Sequence, residues 1–187
     1  MFGEKTMGSP FNVYFPGKTS VVATDGTLKW EEMQSRHYAV KAGDSVTDEV
    51  PLRTFENQQY HIQVYGPNGF MREFKGDHTD PGFQLACDYQ QDRLHRNKMS
   101  GNVELNMQNL DKGKQYELTI TDNAYRNKPK TIWLTDKNVS TILDLKSSYG
   151  WYDFSVKIKG YPSFEQRFAG RVETGAHSFS DPFMGRV

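Results

Sequence analysis

Apolar and polar residues alternate with a period of two along most of this chain. The segments Tyr60–Val64, Val103–Met107, Tyr116–Ile120 and Phe154–Ile158 each place apolar side chains on one side and polar ones on the other. Successive side chains of a β-strand point to opposite faces, so each segment predicts a strand with one buried face. Weaker alternation predicts further strands at Phe11–Phe15, Tyr38–Lys41, Val46–Leu52, Met71–Lys75, Phe83–Tyr89, Thr131–Leu134, Thr141–Leu145 and Glu165–Val172.

Glycine and proline mark the connections between these strands. Gly66–Gly69, Asp80–Gly82 and Asp111–Gly113 combine residues that favour tight turns. The helical period is confined to one short turn, predicted at Trp30–Ser35. The pattern predicts an all-β fold made of two tandem β-sandwich-like (immunoglobulin-like) units with little or no helix.

The chain also contains an internal repeat. Gly43–Leu52 aligns without gaps with Asp136–Leu145, and each copy then begins a strand, at Tyr60 and at Tyr152. Each copy closes on a Phe-x3-Phe-x-Gly ending, at Phe70–Gly76 and Phe164–Gly170. We interpret this as one β unit used twice, with residues 1–80 as the first copy and residues 81–187 as the second. The first copy is less complete at its start.

Composition limits the kinds of partner, membrane segment and cross-link that the chain could have. The formal charge is zero, with 23 basic and 23 acidic residues, so no long-range field favours nucleic acid as a partner. There is no apolar run long enough to span a bilayer, and the first ten residues lack the apolar core of a signal peptide. The single cysteine, Cys87, excludes an internal disulfide, and its alternation with Phe83 and Leu85 predicts a small core residue.

No motif in the sequence indicates a catalytic centre. The five histidines show neither the i, i+4 spacing of a zinc helix nor a Cys/His ligand pattern, and no nucleophile elbow or phosphate loop occurs. The acidic cluster at Asp77–Asp80 lies in a Pro/Gly turn, where this composition usually makes only a turn. We predict no catalytic residue, no metal and no cofactor.

Aromatic side chains offer a binding surface instead. Alternation points Trp133 away from Ile132 and Leu134, so either both faces of that strand are covered or this ring contacts something outside. Trp151 and Tyr152 beside Asp153 have the chemistry of a choline site, although alternation separates neighbouring side chains.

Two loops are candidate contact surfaces, because loops on a rigid β scaffold usually carry recognition. The first is Tyr65–Phe70, with Asn68 and Phe70 as binding candidates. The second is Asp122–Arg126, with Asp122, Asn123 and Tyr125. Asp122 and Asn123 either present oxygens to a calcium ion or, as strand ends commonly do, satisfy local backbone amides.

Several motifs together resemble the C-terminal region of bacterial phosphocholine-specific phospholipases C. The resemblance is carried by Ser9–Phe15, Tyr38–Asp44, Tyr65–Phe74, Thr119–Tyr125, Gly150–Asp153 and Arg167–Gly175, and it runs from about Ser9 to Pro182. It implies a parent enzyme that hydrolyses phosphatidylcholine or sphingomyelin to phosphocholine, with an N-terminal catalytic domain that this chain does not contain. It also implies a periplasmic or secreted parent.

Two hypotheses follow from the motifs and the resemblance together. In the first, the chain is a non-catalytic module that packs on the N-terminal catalytic domain and aids recognition of a phospholipid headgroup or membrane surface. In the second, it is an independent carbohydrate- or choline-binding module. An autonomous hydrolase is the least supported alternative.

Overall fold

A computed structural model describes residues 8–95, 97–175, 177 and 179–183. The prediction about a signal peptide concerns the first ten residues, of which 1–7 lie outside this range. The described residues form eleven strands: β1 (Ser9–Val22), β2 (Leu28–Val40), β3 (Tyr60–Tyr65), β4 (Met71–Gly76), β5 (Phe83–Gln91), β6 (Met99–Asn109), β7 (Tyr116–Asp122), β8 (Lys130–Leu134), β9 (Val139–Leu143), β10 (Trp151–Ile158) and β11 (Glu165–Arg171). Three short 3-10 turns cover Leu52–Thr54, Glu56–Gln58 and Lys146–Ser148.

The strands build two antiparallel sheets of unequal size. The larger has eight strands in the order β2-β1-β3-β4-β11-β10-β7-β8, and the smaller has three in the order β5-β6-β9. The predicted all-β, sandwich-like fold with little helix is confirmed. No helix among the described residues is long and apolar enough to cross a membrane.

The core lies between the small sheet and the β7, β8, β10 and β11 part of the large one. Val103 and Leu105 on β6 are completely buried, as are Leu118 on β7, Leu134 on β8 and Val156 on β10. Each such side chain contributes about 1.5–3 kcal/mol relative to an exposed position. This packing fixes the orientation of the loops that follow these strands.

The two copies of the repeat form corresponding parts of the large sheet. The order β2-β1-β3-β4 in the first copy matches the order β8-β7-β10-β11 in the second. β4 then pairs with β11, so one sheet runs through both copies. The division into domains at residue 80 stays a prediction.

Two local predictions were wrong. Trp30–Ser35 is not a helical turn but part of β2, because β1 and β2 form one long hairpin around Asp25 and Gly26. The Asp25 carboxylate accepts hydrogen bonds from the amide and hydroxyl of Thr27 and so stabilises the hairpin turn. Val46–Leu52 is not a strand: residues 46–51 have no regular secondary structure, and Leu52 begins a 3-10 turn.

Candidate functional site

The predicted site residues, Trp133 excepted, gather at one end of the large sheet. The start of β4, the end of β11, the start of β10 and the end of β7 are neighbours there, because Met71 pairs with Ala169, Trp151 with Arg171 and Phe154 with Asp122. We call this the loop end. It holds Asn68, Phe70, Asp122, Asn123, Tyr125, Trp151 and Tyr152.

The β3–β4 turn reaches the second copy of the repeat at the loop end. Asn68 and Gly69 adopt positive φ values of 57° and 75°, which Asn and Gly tolerate best. The Asn68 amide donates to Glu173 at 2.6 Å. A Cβ atom on Gly69 would lie 3.1 Å from the Trp151 ring, so the turn approaches that ring closely. Trp151 in turn donates from its indole nitrogen to the carbonyl of Phe179 at 3.0 Å.

Arg72 occupies the aromatic cluster beside this turn. Its guanidinium carbon lies 4.2 Å from the centre of the Phe70 ring, 5.1 Å from Phe168 and 5.7 Å from Tyr152. It also donates to the Ala169 carbonyl at 2.9 Å and to the Tyr152 hydroxyl at 3.1 Å. An internal cation therefore already fills the place that a choline ammonium would take among these rings. Sequence reasoning missed Arg72, since no local motif signals that β4 and β11 will pair.

Asp122 organises the β7–β8 loop. Its carboxylate accepts hydrogen bonds from the amides of Ala124, Tyr125 and Asn127 at 3.0, 2.7 and 3.1 Å, and from the Asn127 side chain at 2.6 Å. Of the two roles considered for Asp122, these contacts match the capping of local backbone amides.

Asn123 and Tyr125 connect the same loop to other segments. The Asn123 side chain donates to Asp153 at 2.9 Å and to Ser155 at 3.1 Å. The Tyr125 hydroxyl donates to Asp181 at 3.1 Å, and burial together with that carboxylate raises the pKa of Tyr125 well above its usual value.

A pocket of about 310 Å³ lies behind this loop, which we call the loop pocket. It is lined by the apolar side chains of Ile120, Leu143 and Phe154 and by polar groups that include Asp144 and Lys130. Two of these polar groups are engaged: Asp144 accepts from the Lys146 amide at 2.9 Å, and Lys130 donates to the Ile142 carbonyl at 2.9 Å. The loop pocket therefore offers mainly shape and apolar surface, with Lys128 as a further cation in its lining.

Two features of the described part of the chain bear on hydrolytic chemistry. No cluster of three or more His, Cys, Asp or Glu side chains there could hold a metal ion. Burial raises the pKa of the Cys87 thiol to about 11, which disfavours the nucleophilic thiolate at neutral pH.

Exposed apolar side chains form a second candidate surface, away from the loop end. The outer part of the β1–β2 hairpin, residues 18–32, pairs Val22 with Leu28 and Ser20 with Trp30. We call it the hairpin arm. These pairs share one face, and Val22, Leu28 and Trp30 are 72%, 71% and 48% exposed. The Asp25-Gly26 step between two alternating runs was the sequence signal that could have revealed this hairpin.

Trp133 lies outside both the loop end and the hairpin arm. It lies on β8 opposite Glu117 of β7 and is 60% exposed, while its neighbour Leu134 is completely buried. Among the residues that the structure describes, its outer face is not covered.

Comparisons with known proteins place this chain in a family. The sequence profile described as "Bacterial phospholipase C, C-terminal domain" matches residues 3–77 and 83–171. A non-hemolytic phospholipase C of Pseudomonas aeruginosa is 33% identical over 172 residues, covering 90% of this chain and 24% of that protein. A hemolytic phospholipase C of the same species is 36% identical over 146 residues, covering 76% of this chain and 19% of that protein.

A non-hemolytic phospholipase C of Burkholderia pseudomallei is similar to a comparable degree. It is 33% identical over 153 residues, which are 79% of this chain and 21% of that protein. The chain thus spans about a quarter or less of the length of the curated relatives that it matches.

Proposed function

The chain belongs to the family of bacterial phospholipase C C-terminal domains, and from this we propose that it is the non-catalytic accessory region of a longer phospholipase C. The parent hydrolyses phosphatidylcholine or sphingomyelin to phosphocholine and is periplasmic or secreted. The accessory region packs against the N-terminal catalytic domain and helps it to recognise a phospholipid surface.

The hairpin arm is the observation that carries this proposal. Val22, Leu28 and Trp30 expose large apolar surface on one face of a two-stranded projection. Moving a Leu or Val side chain out of water contributes about 1.5–3 kcal/mol. Trp favours the boundary between headgroups and acyl chains, where its ring is buried and its N–H remains hydrated. The zero net charge of the chain suits a zwitterionic lipid surface, which needs no basic patch.

The test uses the full-length parent with Leu28→Ser and Trp30→Ser combined. Activity is measured on phosphatidylcholine vesicles and on the soluble substrate p-nitrophenyl phosphorylcholine. We expect the variant to lose about tenfold or more of its vesicle binding and vesicle activity, because two side chains of this size contribute at least 1.4 kcal/mol together. Activity on the soluble substrate should be unchanged.

Trp133→Ser is the matched control, since it removes another exposed indole, at 60% exposure against 48% for Trp30. It should behave as the parent does on both substrates. The proposed membrane contact would be contradicted if the hairpin-arm variant bound vesicles as well as the unmodified parent does. It would also be contradicted if the variant lost as much activity on the soluble substrate as on vesicles.

The loop pocket supports a second candidate function, the binding of choline or a carbohydrate. Its apolar side chains and 310 Å³ volume suit a small ligand. Titration of the 187-residue chain with choline and with simple glycans tests it, using Leu143→Trp to fill the pocket. Saturable binding that this variant abolishes would favour the pocket over the hairpin arm.

A further inference from the structure

The large sheet has an apolar face that is covered along only half of its width. Over β7, β8, β10 and β11 this face is closed by the small sheet. Over β1, β2 and β3 it forms an open groove of about 450 Å³. The groove is lined by apolar side chains from all three strands, among them Phe11, Val13, Tyr38, Val40, Ile62 and Val64.

Equivalent positions of the two copies differ in burial. Val64 on β3 corresponds to Val156 on β10, since both end the repeated segment that begins at Tyr60 and at Tyr152. Val156 is completely buried, whereas Val64 is only half-buried. Val13, which pairs with Val64, is half-buried as well, while Ile120, which pairs with Val156, is 3% exposed.

The two copies also differ in the backbone of a segment at the edge of the groove. Val139–Leu143 forms β9 by pairing with β6. The aligned segment of the first copy, which contains Val46, forms no strand, and Val46 is 53% exposed. The two segments share a sequence pattern, so what differs, among the residues that the structure describes, is the presence of a β6-like partner. A strand cannot form a ladder without one.

We propose that two antiparallel strands of the full-length parent, supplied by the polypeptide that precedes Gly8, cover this groove in the way that β5 and β6 cover the second copy. This inference rests on the proposed function, because two strands are longer than the nine residues of β5 alone and need polypeptide that a longer parent would supply. The relatives have that length available, since the matched region is at most 24% of their chains.

The small sheet supports this choice of two covering strands, because they would continue it. β5 is an edge strand of the small sheet, and it lies over the junction of the two copies: the Tyr89 hydroxyl donates to the Arg171 carbonyl at 3.1 Å, and the Phe83 and Phe164 ring centres are 5.8 Å apart. Two added strands beside β5 would extend the small sheet over the groove. The segment around Val46 would then have a partner and form the strand that its sequence predicts.

The occupant can be identified in the full-length parent by photo-crosslinking. A diazirine-bearing aliphatic amino acid replaces Val64 in the groove, and a second variant carries it at Ser35, which is exposed on the other face of β2. We expect the position 64 variant to crosslink to a peptide in the stretch immediately before Gly8, and the position 35 variant not to. A crosslink to a distant part of the parent or to a second molecule, or no crosslink, would overturn the proposal.

Cysteine labelling provides an independent measurement. Val64→Cys should react readily with a maleimide in the 187-residue chain and about tenfold more slowly in the parent, because covering the groove removes reagent access. Ser35→Cys should react equally in both. Unreactive Cys87 reports that the second copy is folded in each sample. Equal reactivity of Val64→Cys in the two proteins would count against the covering strands, whatever the vesicle measurements on the hairpin arm show.

Discussion

Glu73 and Arg167 face each other across the β4–β11 ladder and occupy the same position in the two copies of the repeat. Each lies three residues after the first phenylalanine of its Phe-x3-Phe-x-Gly ending. The pairs Met71–Ala169 and Lys75–Glu165 are arranged symmetrically around them. The copies are therefore related by an approximate two-fold axis normal to the sheet, which places both apolar faces on the same side.

Glu73 is expected to make folding stability depend on pH. Glu73 is 4% exposed, and its carboxylate accepts hydrogen bonds from His61 at 2.6 Å and Gln63 at 2.8 Å. The Lys75 ammonium lies 3.3 Å from the same carboxylate. Burial alone raises the pKa of Glu73, but the hydrogen bonds from Gln63 and His61 and the charge of Lys75 outweigh it and lower the pKa to about 2. A carboxylate with a lowered pKa stabilises the fold above its unfolded pKa of 4.5, and that contribution is lost as pH falls from 4.5 towards about 2.

We therefore expect Glu73→Gln to destabilise the chain by about 1–2 kcal/mol at pH 7 and by much less near pH 2.5. Urea unfolding at both pH values measures the difference. Glu49→Gln, at an exposed position, is the control and should change stability by about 0.5 kcal/mol or less at either pH. A Glu73→Gln effect that stays constant between the two pH values would show that the carboxylate charge is not responsible.

Arg72 is expected to stabilise the junction of the two copies. Replacement by Met keeps the apolar stem but removes the hydrogen bonds to Ala169 and Tyr152 and the contact with the Phe70 ring. The expected cost is about 1–3 kcal/mol in the free energy of unfolding. Arg53→Met, at an exposed position, should have little effect in the same urea titration. If both variants were equally stable, the interactions of Arg72 would contribute nothing measurable.

Asp122 should hold the β7–β8 loop in place. Asp122→Ala removes the acceptor for three backbone amides, at Ala124, Tyr125 and Asn127. We expect hydrogen exchange of these amides to accelerate and stability to fall by about 1–2 kcal/mol. Asp122→Asn keeps one acceptor oxygen and should have an intermediate effect. Unchanged exchange in the alanine variant would mean that other contacts order the loop.

Cys87 should be poorly reactive in the folded chain. Burial raises the pKa of this thiol from 9.0 to about 11, so the thiolate fraction at pH 8 falls about 100-fold. Reaction with Ellman's reagent should be at least that much slower in buffer than in 8 M urea. Similar rates under the two conditions would place the thiol at the surface.

The sequence predicted the strands whose own residues alternate between apolar and polar. Alternation located β3, β6, β7 and β10, and it placed Trp133 and Leu134 on opposite faces of β8. It could not show that β4 joins β11, because pairing between copies leaves no local signal, and Arg72 was missed for that reason. The Val46 segment has strand-like alternation, yet it forms no strand where the described residues offer it no partner.

Core substitutions at equivalent positions should have unequal effects in the 187-residue chain. Val156→Ala removes two methyl groups from a completely buried site and should cost about 2 kcal/mol, through lost burial and the cavity left behind. Val64→Ala makes the same chemical change in the half-buried groove, where water can fill the space, and should cost about half as much or less. Urea unfolding of both variants compares them directly. Equal costs would mean that the groove is already closed in this chain, for example by self-association, which repeating the titration at several protein concentrations would reveal.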